Sequence, residues 1–259
     1  MPLTATRPAP SFGAVLLRGL LAGLIAGLLA GLFAYTLGEP KIDAAIAIEE
    51  AAAGAEHSHG GDEAEVSRTG QKGGLFLATG LYGVAMGGLL ATAYAVLRRR
   101  LRTGDDARAG LGLAAAAVTG LVLVPFVKYP PNPPAVGDPA TIDQRTISYL
   151  AIVVIGLVAV WAAVLAFRSL RAGAGEWLRL SAATAAFLLV VVVGYVLLPN
   201  IDEVPDGFPP SLLWNFRVTS LGTQVALWVT LGLAFAALLS RLGVSRQPGQ
   251  EQERESVRV

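Results

Sequence analysis

The chain has 259 residues, 54% of them hydrophobic and only 15% charged, with a net charge of +1 and a mean hydropathy of +0.58. A soluble domain carries about a quarter charged residues, so a soluble globular class is excluded and a polytopic membrane protein is expected. Cysteine is absent, which removes any disulfide framework and any thiolate metal site but leaves imidazole and carboxylate chemistry open.

Six apolar runs of roughly 20 residues, enough to cross a bilayer as helix, follow one another: Val15–Leu37, Gly74–Leu97, Gly110–Val127, Ile147–Phe167, Leu178–Leu198 and Val218–Ser240. The expected fold class is all-α, with six transmembrane helices arranged as three outward-facing helical hairpins. Residues 1–14 form a cytoplasmic N-terminus in this reading, 15–240 the transmembrane bundle and 241–259 a disordered cytoplasmic tail. The third run is the weakest, being short and carrying Pro125 near its end. The first is longer than the roughly 7 to 15 residues of a cleaved signal core and reads as a span.

Lys and Arg set the orientation. With the N-terminus inside, 14 basic residues face the cytoplasm, among them the cluster Arg98, Arg99, Arg100, Arg102 and Arg108, against six outside. The positive-inside rule then places both termini in the cytoplasm. Acidic residues divide the other way, 13 outside and six inside, leaving the outer face at −7 and the inner at +8. The "RRRLR" run is accounted for by topology, aided by anionic lipid, and no nucleic-acid partner is expected.

In chain order, helix 1 first shows Gly19, Gly23, Gly27 and Gly31 at every fourth position. Residues four apart share a helix face, and small side chains let two backbones approach closely in lipid. Such a face serves either packing within the chain or docking of a partner helix. The loop 38–73 then carries "KIDAAIAIEEAAAG", expected as a short helix on the membrane surface. It is followed by "EHSHGGDEAE", which holds both histidines of the chain. Neutral imidazole with carboxylate oxygens suits cobalt, nickel, zinc and copper, so His57, His59, Glu56, Asp62 and Glu63 are the candidate metal ligands. The plainer reading is a solvated acidic loop.

No Asp, Glu or Lys lies near the centre of a span, so no carboxylate relay is visible. Most polar groups there read as helix–helix contacts, and Tyr82, Met86 and Gln224 are the candidates for a transport path. The loops 128–146 and 199–217 are proline-rich and acidic. Each re-enters the membrane behind an arginine with a serine three positions on, Arg145 with Ser148 and Arg217 with Ser220, which hints at an internal repeat. "KYPPNPPAVGDP" reads as a stiff polyproline-like cover. There is no G-x-x-x-x-G-K-[ST] phosphate loop and no nucleophile–base pair, so an enzyme is not expected. No resident cofactor is expected either.

The glycine-rich first helix, the "HSHG" loop, "KYPPNPPAVGDP", "QRTISYL" and "FPPSLLWNFRVTSL" together resemble the CbtA family, the larger subunit of a predicted cobalt transporter. The similarity extends from about Leu16 to Leu239. It implies import of Co2+ for cobalamin synthesis, and Ni2+ is added here as a second candidate cargo. It also implies a small single-span partner resembling CbtB, and five spans where the sequence shows six. The expected protein is thus a multi-pass permease subunit of the cell membrane that meets lipid, a divalent metal ion and that partner. The alternative is a non-transporting scaffold or assembly subunit that binds another protein through its outer loops.

Overall fold

A backbone in hydrocarbon must satisfy its own polar groups, so helices run on wherever they can. The computed structural model describes residues 11–55, 67–100, 105–170 and 173–244. Among these, eight α-helices follow in order: α1 (Phe12–Phe33), α2 (Glu39–Ala55), α3 (Arg68–Leu97), α4 (Asp106–Val118), α5 (Val124–Lys128), α6 (Ile142–Ser169), α7 (Glu176–Leu197) and α8 (Pro210–Val244). Six helical stretches are long and apolar enough to cross a membrane, and the third of them is a full 23 residues, Asp106–Lys128. The weakest run is therefore a span like the others. The six-span count stands against the five implied by the resemblance.

Two stretches of π-helix, Ala34–Gly38 and Thr119–Leu123, join α1 to α2 and α4 to α5. Each ends two residues before a proline, Pro40 and Pro125. Proline lacks an N–H and clashes with the carbonyl four residues back. The π pattern shifts the ladder instead, so that the N–H of Glu39 bonds Ala34 O and that of Val124 bonds Thr119 O. Hydroxyls take up neighbouring carbonyls: Thr36 Oγ1 donates to Leu32 O at 2.9 Å and Thr119 Oγ1 to Ala115 O at 2.8 Å.

The expected surface-lying helix is corrected by this. With Pro40 accommodated, α2 continues from α1, and Phe12–Ala51 forms one helical stretch of 40 residues. At 1.5 Å per residue that is about 60 Å, roughly twice the hydrocarbon thickness. Most of the expected loop 38–73 is helical too. α8 runs to Val244, into the stretch expected as tail; residues 1–10 and 245–259 lie outside the described residues.

The chain divides into two units, Met1–Gly31 with Gly74–Ala114 and Ala226–Val259, and Leu32–Gly73 with Ala115–Val225. In the first, α1 and α3 meet backbone to backbone. A Cβ on Gly23 would collide with the Gly83 carbonyl, and one on Gly19 with that of Gly87. Tyr94 stacks edge-on against Phe235 with centroids 5.7 Å apart and donates to Asp106 Oδ1 at 2.5 Å. Arg18 ties the helix ends, with Nε donating to Leu238 O at 3.1 Å.

In the second unit, α6 and α7 run side by side, Gly194 against Ile155, and Gly156 meets the backbone at Gly120. Leu188, Leu189, Val192, Val193, Val196 and Leu197 of α7 remain exposed. A continuous apolar face of this kind belongs against lipid. The protein is a multi-pass membrane protein.

The α1–α3 seam sets the first prediction. Gly83→Leu should destabilise the protein by about 3 kcal/mol or more, since the obstacle is backbone. Gly112→Ala, with open space around it, should stabilise it by about 0.5–1 kcal/mol. Thermal unfolding in detergent measures both.

Candidate functional site

Two polar assemblies lie in the second unit. One is a stem joining α2 to the first turn of α3. Glu39 and Asp43 are four residues apart on α2, Arg68 and Lys72 four apart on α3, so each pair shares one helix face. Arg68 Nη2 donates to Glu39 Oε2 at 2.6 Å and to Asp43 Oδ1 at 2.5 Å, and Lys72 Nζ donates to Asp43 Oδ2 at 2.8 Å. Only 9% of the Glu39 side chain is exposed.

The second assembly joins the loops between α5 and α6 and between α7 and α8. Arg145 Nη1 donates to Glu203 Oε2 at 2.7 Å, and Thr141 Oγ1 donates to Glu203 Oε1. The Glu203 side chain is only 3% exposed. A buried carboxylate needs such donors, because leaving it unpaired costs its full desolvation. Gly137 makes room for the guanidinium, since a Cβ there would lie 2.8 Å from Nη1. Across the same loops Arg217 Nη2 donates to Asn132 Oδ1 at 2.9 Å, and Lys128 Nζ to Asn200 Oδ1 at 2.6 Å and Tyr195 O at 3.0 Å. Tyr129 Oη donates to Pro199 O at 2.6 Å and Tyr195 Oη to Val124 O at 2.6 Å. Beneath lies an apolar cluster of Ala45 (0% exposed), Val136, Phe208 and Leu213, through which α2 is seated on both loops.

The sequence model of one family, described as "Probable cobalt transporter subunit (CbtA)", matches residues 12–240. The chain belongs to the CbtA family. Comparison with curated proteins and with solved structures gives no match.

In this CbtA chain the candidate ligands Glu56, His57, His59, Asp62 and Glu63 lie outside the described residues. Among the described residues no group of three or more His, Asp or Glu side chains is placed to hold a metal ion. Of the path candidates, Tyr82 and Met86 are in the first unit and Gln224 in the second. Tyr82 is exposed, Met86 half-buried, and Gln224 Oε1 is buried without a hydrogen-bond partner. The glycine face of α1 is corrected as a partner-docking face: Gly19, Gly23, Gly27 and Gly31 are covered by α3 of the same chain. Arg145 and Arg217 both enter the loop assembly, while Ser148 is buried one turn inward and Ser220 is half-buried.

Sequence reasoning missed the stem and Glu203. The stem had a signal, two oppositely charged pairs at the same four-residue spacing on the helices flanking one segment. Glu203 had none, because a carboxylate in a proline-rich loop looks solvated until the fold covers it. "KYPPNPPAVGDP" is also not an extended cover: it turns at Pro133–Val136, with Ala135 at φ 64°.

A double-mutant cycle on Arg145→Ala and Glu203→Ala should return a coupling energy on the order of 1 kcal/mol, the exposed arginine end being screened by solvent. The single Glu203→Ala change should be the more salt-insensitive loss. Unfolding in detergent at two ionic strengths checks both.

Proposed function

We propose that this chain is the membrane-embedded subunit of a Co2+ uptake system, with Ni2+ as its second cargo, supplying cobalamin synthesis from the cell membrane. It works with a small single-span partner and keeps both termini in the cytoplasm. Family membership across residues 12–240 carries the reading. The charge pattern supports it: a −7 outer face raises the local concentration of divalent cations before any ligand is engaged.

Capture falls to His57 and His59 with Glu56, Asp62 and Glu63, a mixed nitrogen and oxygen set suited to Co2+. The stem favours this role. Arg68 and Lys72 neutralise Glu39 and Asp43 and hold α2 beside α3, so the ligand-bearing segment begins and ends on helices already tied together. Of Tyr82, Met86 and Gln224, Gln224 presents the one buried oxygen free to meet a passing cation.

The test is Co2+, Ni2+ and Zn2+ flux into proteoliposomes, with and without the single-span partner. Saturable Co2+ flux is expected. At low external metal it should fall at least about tenfold in His57→Ala/His59→Ala, equivalent to roughly 1.4 kcal/mol of lost binding. Equal flux in the double variant would remove the histidines from the mechanism. No flux with the partner present would leave the scaffold reading.

A further inference from the structure

The two proline-rich loops share a register. Arg145 and Arg217 stand 72 positions apart, and so do Ser148 and Ser220, Pro133 and Pro205, and Val124 and Val196. The backbone keeps the same spacing. The Val136 N–H donates to Pro133 O at 3.2 Å and the Phe208 N–H to Pro205 O at 3.1 Å. In each turn the residue before the donor has a positive φ, 64° at Ala135 and 89° at Gly207. A non-glycine residue seldom adopts that conformation, so the turn holds Ala135 there, at the position whose counterpart is the permissive Gly207.

The contacts follow the symmetry such a duplication would have. Between copies related by a two-fold axis, position i meets j and j meets i, and positions beside the axis meet their own counterparts. Lys128 bonds Asn200, its counterpart 72 positions on. Val136 and Phe208, again counterparts, share one buried cluster. Arg145 reaches Glu203 while Arg217 reaches Asn132, and Glu203 corresponds to the position adjoining Asn132. Both hairpins run in the same sense through the membrane, as parallel repeats about an axis along its normal do.

We infer that α4–α6 and α7–α8 are two copies of one helical hairpin, and that their interlocked loops form a clasp that is the outer gate of the transport path. The gating role rests on the transport reading above. Duplicated transporters alternate by rocking one helix set against another, and the bonds between these loops are few, polar and partly exposed. Each contributes modestly, so together they close the outer end without locking it. Ala45 seats α2 on Val136 and Phe208, so the helix leading to the metal-capturing segment rests on the clasp itself. Ser148, 4% exposed and one turn inward from Arg145, lies behind it.

The cysteine-free chain makes the test clean. Val136→Cys/Phe208→Cys, linked in proteoliposomes by a short bis-methanethiosulfonate reagent that releases methanesulfinate as each disulfide forms, should lose at least about tenfold of its Co2+ flux and regain it on reduction. In a separate chain, Ser148→Cys should be labelled from outside by a membrane-impermeant thiol reagent about tenfold faster once Glu203→Gln is added, the loss of one charge-assisted bond. Undiminished flux with cross-linking shown complete by mass spectrometry would overturn the gate. So would Ser148→Cys labelling that ignores Glu203→Gln. Absence of flux in the unlinked protein would instead count against the transport reading, and labelling alone would then decide whether the clasp opens.

Discussion

The absence of water from hydrocarbon governs this molecule, because every backbone N–H and carbonyl in the spans must find a partner inside the protein. Prolines inside helices are the obvious threat. Pro40 and Pro125 are met by π-helical turns and by threonine hydroxyls that occupy nearby carbonyls. Where the chain leaves the helices, side chains take over the same task. Tyr195 donates to the Val124 carbonyl, Lys128 to that of Tyr195 and Tyr129 to that of Pro199. The polar bonds between the two loops are thus partly a consequence of ending two helices side by side.

The two units meet the constraint differently. In the first, glycines on α1 and α3 bring backbones into contact, and van der Waals closeness replaces the hydrophobic drive that lipid removes. A Cβ on Gly19, Gly23, Gly27, Gly83 or Gly87 would meet backbone across this seam. In the second, α2, α6, α7 and the first turns of α8 are joined at their ends by ion pairs and amide contacts. These are directional and reversible, and they gather around Glu203, Asn132 and Asn200.

Much of the architecture was legible in the sequence because its signals are one-dimensional. Span length and the four-residue glycine spacing need no knowledge of neighbours. The direction of the glycine face was not legible, since a smooth helix face looks the same whether it meets α3 or another chain. The continuation of α2 was hidden by Pro40, which ordinarily ends a helix. The repeat was only hinted at by Arg145 and Arg217, because identity between the loops is sparse. Its firmest marks are the positive φ at Ala135 and Gly207 and the pairing of counterparts, neither of which a sequence displays. The candidate ligands His57 and His59, by contrast, rest on residue chemistry alone and lie outside the described residues.

In this CbtA subunit α2 is tied to α3 by ion pairs and rests on the two proline-rich loops through Ala45. In the proposed uptake system α2, the segment it leads to and the two loops respond to metal as one assembly. Amide hydrogen exchange of the membrane-embedded protein with its partner, with and without Co2+, tests that directly. With Co2+ bound, α2, residues 129–141 and residues 198–209 are expected to change protection together and in the same direction. A change confined to the segment around His57 and His59, with both loops unaffected, would contradict it.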